Sequence, residues 1–245
     1  GKVKSIIRPI SSSRKNLIFD YDAMGNRIAK HIINPQTDML EKSTYYILDA
    51  QGQQLSMYEH TVDSSTVKYQ LAERNILGSS RLGTITDTVD MYNPAPLPSY
   101  GVLGNRLYEL GNHLDNVLTV ISDKLLPLDD DLDEEADGYQ VSLAMVADYS
   151  AFGAHLDGRT SNGDQYRYKF MGYEGDAEFK GPENSYTTEF RQYDPRLGRW
   201  LSVDPLEEQF PAWSPYVAFN NNAVRYIDPD GRASEDQVKV EALLT

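Results

Sequence analysis

Apolar and polar positions alternate along most of the chain in short runs, each closed by a turn signal, and helical periodicity is hard to find. Phe19-Asp20-Tyr21-Asp22-Ala23-Met24-Gly25-Asn26-Arg27-Ile28-Ala29-Lys30 predicts a strand, a glycine-containing turn and a second strand. The stretch from Tyr45 to Tyr58 has the same layout around Asp49-Ala50-Gln51-Gly52. In each Asp-x-x-Gly unit the aspartate can accept turn N–H bonds, while the glycine can take a positive φ. Looser echoes occur at Tyr108-Glu109-Leu110-Gly111-Asn112 and from Ala147 to Gly153. Spaced self-similarity of this kind predicts a repeat architecture in which each hairpin buries one face against the next.

Two stretches interrupt the pattern. Tyr92 to Gly101 is rich in proline and predicts a surface loop, and Asp129 to Asp137 is an acidic run that predicts a solvated insertion. A calcium loop on Asp129, Asp131 and Asp133 would need glycine at its sixth position, where Glu134 stands. The densest signals lie in residues 186–232, followed by a polar tail from Arg232 to Thr245 that begins a short helix or frays.

The chain has 245 residues, room for one large domain or two ordinary ones, and its 40% hydrophobic and 24% charged content is that of a globular protein. No run approaches the ~18–20 apolar residues of a membrane-spanning helix. Gly1-Lys2-Val3-Lys4-Ser5 leads into too few apolar positions for a signal peptide, and the missing initiator methionine predicts a processed or trimmed piece. A net charge of −14 repels phosphate backbones and argues against nucleic acid as a partner. Without cysteine there is no disulfide framework, thiol catalysis or cysteine-type zinc site. Seventeen tyrosines against seven phenylalanines and two tryptophans, with 17 Gly and 12 Pro, favour many short strands with frequent turns.

The ordered motifs resemble the Rhs/YD-repeat family, in particular its C-terminal Rhs-associated core. Tyr21-Asp22-Ala23-Met24-Gly25-Asn26-Arg27 resembles the tyrosine–aspartate box, and Leu71 to Gly83 is similar to a segment that follows the repeats. Gly111-Asn112-His113-Leu114-Asp115-Asn116-Val117 resembles the family's His-Leu-Gly-Asn-Val box, with Asp115 where glycine is usual. Tyr193-Asp194-Pro195-Arg196-Leu197-Gly198-Arg199-Trp200, Ser202-Val203-Asp204-Pro205 and Asp228-Pro229-Asp230-Gly231 are similar to the closing motifs of that core. The resemblance runs from about residue 17 to 232.

It implies a mainly β fold, in which YD-repeat β-hairpins form part of a spiralling shell closed by a C-terminal plug with little helix. The expected divisions are a hairpin wall over 1–123, the acidic insertion over 124–140, further wall strands over 141–185, the plug motif over 186–232 and the tail over 233–245. The implied role is to enclose a C-terminal toxin, with the rest of the shell, that toxin and export or injection machinery as partners. Secretion or delivery by a bacterial export system is the implied destination, with the cell surface as an alternative. An adhesion or recognition module built from the same repeats is the other reading, motivated by the exposed rings that tyrosine and tryptophan can offer to sugars and proteins. A spiralling sheet leaves few free edges and tolerates polar groups on either face, in keeping with a mean hydropathy of −0.53.

Asp194, Asp204 and Asp228 each precede proline, a pairing that opens ordinary turns. The resemblance implies more: an aspartyl autoprotease that cuts once, in cis, near Arg232, with Asp204 and Asp228 as the paired acids and Arg199 as the basic residue. Two close carboxylates cannot both ionise cheaply, so one keeps a proton and donates it while the other activates water. Leu206-Glu207 follows the first pair where many self-cleaving members have glycine, and Arg232 stands where a hydrophobic residue is common. The four histidines, His31, His60, His113 and His155, show no metal-ligand spacing, and no cofactor is implied.

Overall fold

The computed structural model describes residues 2–63, 66–94, 102–129, 135–161, 166–182 and 184–236. The predicted alternation becomes one open, antiparallel, eleven-stranded sheet. Its strands are β1 (Ser5–Ile6), β2 (Asn16–Tyr21), β3 (Arg27–Ile33), β4 (Leu40–Leu48), β5 (Gln54–Asp63), β6 (Thr66–Leu77), β7 (Arg81–Ile85), β8 (Val89–Asp90), β9 (Arg106–Gly111), β10 (Val117–Leu128) and β11 (Gly138–Val146). The order is sequential from β1 to β7, then β9, β10 and β11, while β8 pairs with β6. The path does not close into a barrel.

The turns carry the predicted chemistry. Asp22 Oδ1 accepts the Asn26 N–H at 2.8 Å, and Asp49 Oδ1 accepts those of Gln51 and Gln53 at 2.9 and 2.8 Å. Asn112 does the same for Leu114 and Asn116, at 3.0 and 3.2 Å. Asp115 occupies the left-handed position of that turn at φ 57°, which glycine fills in the first two turns. An aspartate tolerates this backbone better than a branched residue does, because its short polar side chain bonds locally.

The acidic run joins β10 to β11, and both strands extend into the stretch expected to be insertion: β10 continues to Leu128 and β11 begins at Gly138. Asp131 and Asp133, weighed above against a calcium loop, lie outside the described residues, as does most of the proline-rich loop. Of residues 141–185, those described add only the rest of β11 to the large sheet. A second, four-stranded sheet already begins before residue 186, with β12 (Glu174–Gly175), β13 (Tyr186–Thr187), β14 (Gln192–Asp194) and β15 (Arg199–Trp200) in that order. β16 (Tyr226–Ile227) pairs with β17 (Glu235–Asp236), so the described start of the tail is strand and not helix. Among the described residues helix is confined to α1 (Ala177–Lys180) and short 3-10 turns, and none is long and apolar enough to cross a membrane.

The C-terminal segment lies against one face of the large sheet. Its own core is aromatic: Phe170, Tyr173, Tyr186, Tyr193, Trp200 and Phe219 are buried together. Tyr193 and Trp200 meet edge to face with centroids 5.2 Å apart. The seam with the large sheet is instead ionic. Arg167, held within its own segment by Glu174 at 2.7 Å, reaches across to Glu73 at 3.6 Å, and Arg81, paired within the sheet with Glu109 at 2.7 Å, donates from Nη2 to the Gly172 carbonyl oxygen at 3.1 Å. The Tyr166 hydroxyl donates to the same Glu109 carboxylate at 2.7 Å. Charges sit on the covered face while Tyr45, Ile47, Tyr108, Leu110 and Leu143 remain exposed. In β4 the alternation is direct: Thr44 and Tyr46 are covered, Tyr45 and Ile47 are not. Burying charge this way is tolerable because nearly every member has an opposite partner.

Candidate functional site: a buried arginine between two aspartates

Asp228 opens the same kind of turn as Asp22 and Asp49. Its Oδ1 accepts the N–H groups of Gly231 and Arg232, both at 2.9 Å, and of Ala233 at 3.2 Å. Gly231 sits at φ +84°, and a Cβ there would fall 2.2 Å from Thr188 Oγ1, so neither the backbone nor the space admits another residue without rearrangement. Asp204 likewise opens a turn, with the Leu206 N–H donating to its Oδ1 at 2.8 Å. Local turn chemistry therefore accounts for both aspartates as far as one oxygen each.

Their second oxygens converge on one guanidinium. Arg191 Nη1 lies 2.9 Å from Asp204 Oδ2, and Nη2 lies 3.0 Å from Asp228 Oδ2. The side chains of Arg191 and Asp228 are each 1% exposed and that of Asp204 is 14% exposed. The guanidinium also lies over the Trp200 ring, 4.4 Å from its centroid, so its flat face is covered as well. Arg191 Nε donates to the Gly231 carbonyl oxygen at 2.5 Å. The Tyr173 hydroxyl donates to the Asp228 carbonyl oxygen at 2.6 Å.

Burial pushes the Asp228 carboxyl up to about 6, against the opposing pull of Arg191. Burial also lowers the Arg191 pKa, but a guanidinium remains charged at any working pH. The arrangement thus holds a permanently charged donor beside an acid that titrates near neutrality. A small cleft of about 40 Å³ opens beside Asp204, lined by Glu207, Ser214, Arg232 and Ala233 among others, and it has room for a water.

The structure brings Asp204 and Asp228 together through Arg191 and leaves the other candidates elsewhere. Arg199 is exposed and donates from Nη1 to Asn221 Oδ1 at 2.9 Å. Neighbours on a strand point to opposite sides; since Trp200 faces the core, Arg199 must face away from it. Asp194 is held by Lys180 at 2.6 Å and Arg196 at 3.2 Å. Its carboxyl stays below the usual range because hydrogen bonds from these two cations outweigh burial, which acts in the opposite direction. Arg191 stands at the head of the run that ends in Tyr193-Asp194-Pro195. Its next three positions are all buried, but Gln192-Tyr193-Asp194 carries no apolar run from which the sequence could have shown this. Arg199→Ala is expected to change the unfolding free energy measured in urea by no more than about 0.5 kcal/mol, the ordinary range for a surface substitution.

No family model matches the chain. Among curated proteins, it is 27% identical over 226 residues to salivary gland surface protein 1 of Aedes aegypti, covering 91% of this chain and 6% of that protein. Among solved structures, the crystal structure of TcdB2-TccC3 without its hypervariable C-terminal region superimposes with a TM-score of 0.61 at 16% identity. That match covers 94% of this chain and 10% of the other. TcdB2-TccC3-TEV gives a TM-score of 0.58 at 16% identity, over 94% of this chain and 9% of that one. At this identity the likeness is one of fold, and this chain spans about a tenth or less of the length of each protein it matches.

Proposed function

We propose that this chain is the wall and closing plug of an Rhs-type shell that encloses a C-terminal toxin, and that its buried Asp204–Arg191–Asp228 constellation cuts the chain once after Gly231. The observation that carries the cleavage reading is the convergence of all three groups on one turn. Arg191 holds both aspartates and the Gly231 carbonyl oxygen, while Asp228 holds the amide of Arg232. The carbonyl and the leaving nitrogen of a single peptide bond are therefore each in contact with a charged or titrating group.

The steps follow from that placement. Arg191 stabilises the negative charge that develops on the Gly231 oxygen when the carbonyl is attacked. Asp204, on the edge of the small cleft, takes the proton of the attacking water. Asp228, protonated, passes its proton to the departing Arg232 nitrogen. Because substrate and catalyst are one chain, the reacting bond needs no capture from solution, an advantage worth up to about 7–11 kcal/mol in favourable intramolecular cases.

The shell reading is supported by the open edges of the sheet and by size. The cavity between the large sheet and the C-terminal segment is about 460 Å³, lined by Arg27, Tyr46, Gln54, Tyr173 and Thr188 among others. That is the scale of a small-molecule pocket, so a folded or unfolded toxin would need the space of a much larger assembly. The TcdB2-TccC3 chains, of which this chain covers about a tenth, match it in fold and have a hypervariable C-terminal region. The second reading, a surface recognition module, draws on the name of the mosquito protein and on the exposed Tyr45 and Tyr108.

Intact-mass measurement of the chain with its native downstream sequence tests cleavage. The wild type is expected as two fragments with a break after Gly231, and Asp228→Asn and Asp204→Asn as single uncut chains, each slower by at least about 10²-fold. Cleavage requires protonated Asp228, so its rate is expected to be greatest below about pH 6 and to fall about tenfold per pH unit above it. Equal masses for wild type and both variants would remove the protease and leave the container. Specific binding of a glycan array by the uncut chain would favour the recognition reading.

A further inference from the structure

A second cluster of reactive groups is buried where the large sheet meets the C-terminal segment, and the cleavage chemistry does not use it. Lys30 projects from β3 with its side chain 5% exposed, toward Asp176, whose side chain is 2% exposed. Lys30 Nζ lies 3.6 Å from Asp176 Oδ1 and 3.2 Å from Glu178 Oε2. Thr187 Oγ1 donates to Asp176 Oδ2 at 3.2 Å and fixes that end of the carboxyl group. Asp176 Oδ1 is buried and accepts no hydrogen bond, although an amine stands just beyond hydrogen-bond reach. Glu178 Oε2 is the acceptor to which Lys30 Nζ donates directly.

We propose that Lys30 and Asp176 condense to an amide, an isopeptide cross-link that ties the sheet covalently to the C-terminal segment, with Glu178 as the proton carrier. The Glu178 carboxylate takes a proton from the Lys30 ammonium. The freed amine attacks Asp176 Cγ while that carboxyl group is protonated. The new C–N bond forms, the C–O bond to the carboxyl hydroxyl breaks, and the amine's remaining extra proton leaves with that hydroxyl as water. One amine and one carboxylic acid become one amide and one water, and Glu178 then returns its proton to solvent. No oxidant, reductant or further reactant enters.

The surroundings suit the step. Burial raises the Asp176 pKa and so favours the protonated acid that the attack needs, although Lys30 opposes it. For Glu178 burial acts upward, but Lys30 foremost outweighs it and keeps the group ionised, so it can receive the proton, although only as a weak base. Burial alone would lower the Lys30 pKa; Asp176, first among its acidic neighbours, raises it, so the ammonium is the resting state. Surrendering that proton is costly, but the reaction happens once per molecule and can be slow. The fixed approach of the two groups supplies the effective concentration. A buried ion pair alone leaves much of its desolvation cost unrecovered, whereas an amide removes both charges from the interior.

The test is the mass of the purified full chain under denaturing conditions, followed by proteolysis. The wild type is expected to weigh one water less than its sequence and to release a branched peptide joining the segments around Lys30 and Asp176. Lys30→Arg and Glu178→Gln are expected to keep the full sequence mass and to release only linear peptides. Glu178→Gln retains the lysine–aspartate pair, so it separates loss of the chemistry from loss of the fold. A wild-type chain of unaltered mass would overturn the proposal. So would loss of water without a branched peptide, because an aspartate can also lose water by cyclising on its own backbone. A break after Gly231 changes the mass by the length of the tail, so the two modifications are read separately.

Discussion

Arg191→Ala is expected to destabilise the chain by about 3–5 kcal/mol and to abolish self-cleavage together. The guanidinium is the only positive group in hydrogen-bond contact with either Asp204 or Asp228 among the described residues, and both Arg191 and Asp228 lie out of water. Removing it leaves a carboxylate buried without its counter-charge and a Gly231 carbonyl without its donor. Urea unfolding followed by the near-ultraviolet signal of the aromatic core measures the first effect, and intact mass measures the second. Arg191→Lys should recover only part of either, since an ammonium cannot present two parallel N–H groups to two carboxylates and a third to a carbonyl. The double variant Arg191→Ala/Asp228→Asn should be more stable than Arg191→Ala, because it removes the stranded charge. If the single variant unfolds at the wild-type midpoint, the buried triad does not hold the C-terminal segment together.

Trp200→Ala is the second large effect, a loss of about 3–5 kcal/mol from the cavity it opens. The ring is fully buried, contacts Tyr173, Tyr193 and Phe219, and forms the floor beneath Arg191. Its indole N–H has no hydrogen-bond partner, so Trp200→Phe removes volume without orphaning a polar atom and is expected to cost clearly less. Calorimetry should place the alanine variant on the order of 10 °C below the wild type. A shift of only a degree or two would mean that the aromatic cluster is not the core of this segment.

The hairpins were legible because their causes are local. An aspartate, asparagine or serine followed three residues later by a residue able to take positive φ closes the turns at Asp22, Asp49, Asn112 and Ser150. The closing turn at Asp228 obeys the same rule, with Gly231 at positive φ, and the one at Asp194 is a residue longer, with Gly198 at positive φ four positions on. Hence the bland reading of the Asp-Pro pairs as turn openers and the functional one are compatible: one carboxylate oxygen of Asp228 serves the turn and the other faces Arg191.

The boundaries of the C-terminal segment were less legible. Its small sheet is made of two- and three-residue strands, too short for alternation to register, and it starts at Glu174 within what reads as wall. The ionic seam was hidden for another reason. Lys30, Glu73 and Glu109 look like solvent-facing positions in their own strands, and only the arrival of Asp176, Arg167 and Tyr166 from a distant part of the chain covers them.

Arg199 shows where the line falls. Its outward turn follows from alternation only once β15 is known to be a strand with Trp200 in the core. What no local pattern contains is that Arg191 reaches Asp204 and Asp228. Those contacts join residues far apart in sequence, and they are set by how the aromatic core stacks. Composition, turns and alternation by themselves determined a mainly β chain of antiparallel hairpins, because each depends on the backbone preferences of a few consecutive residues. Which face of the sheet is buried, which cation the aspartates share, and which lysine meets which acid were decided only by tertiary packing, since burial and electrostatic partnership depend on distances that sequence separation does not encode.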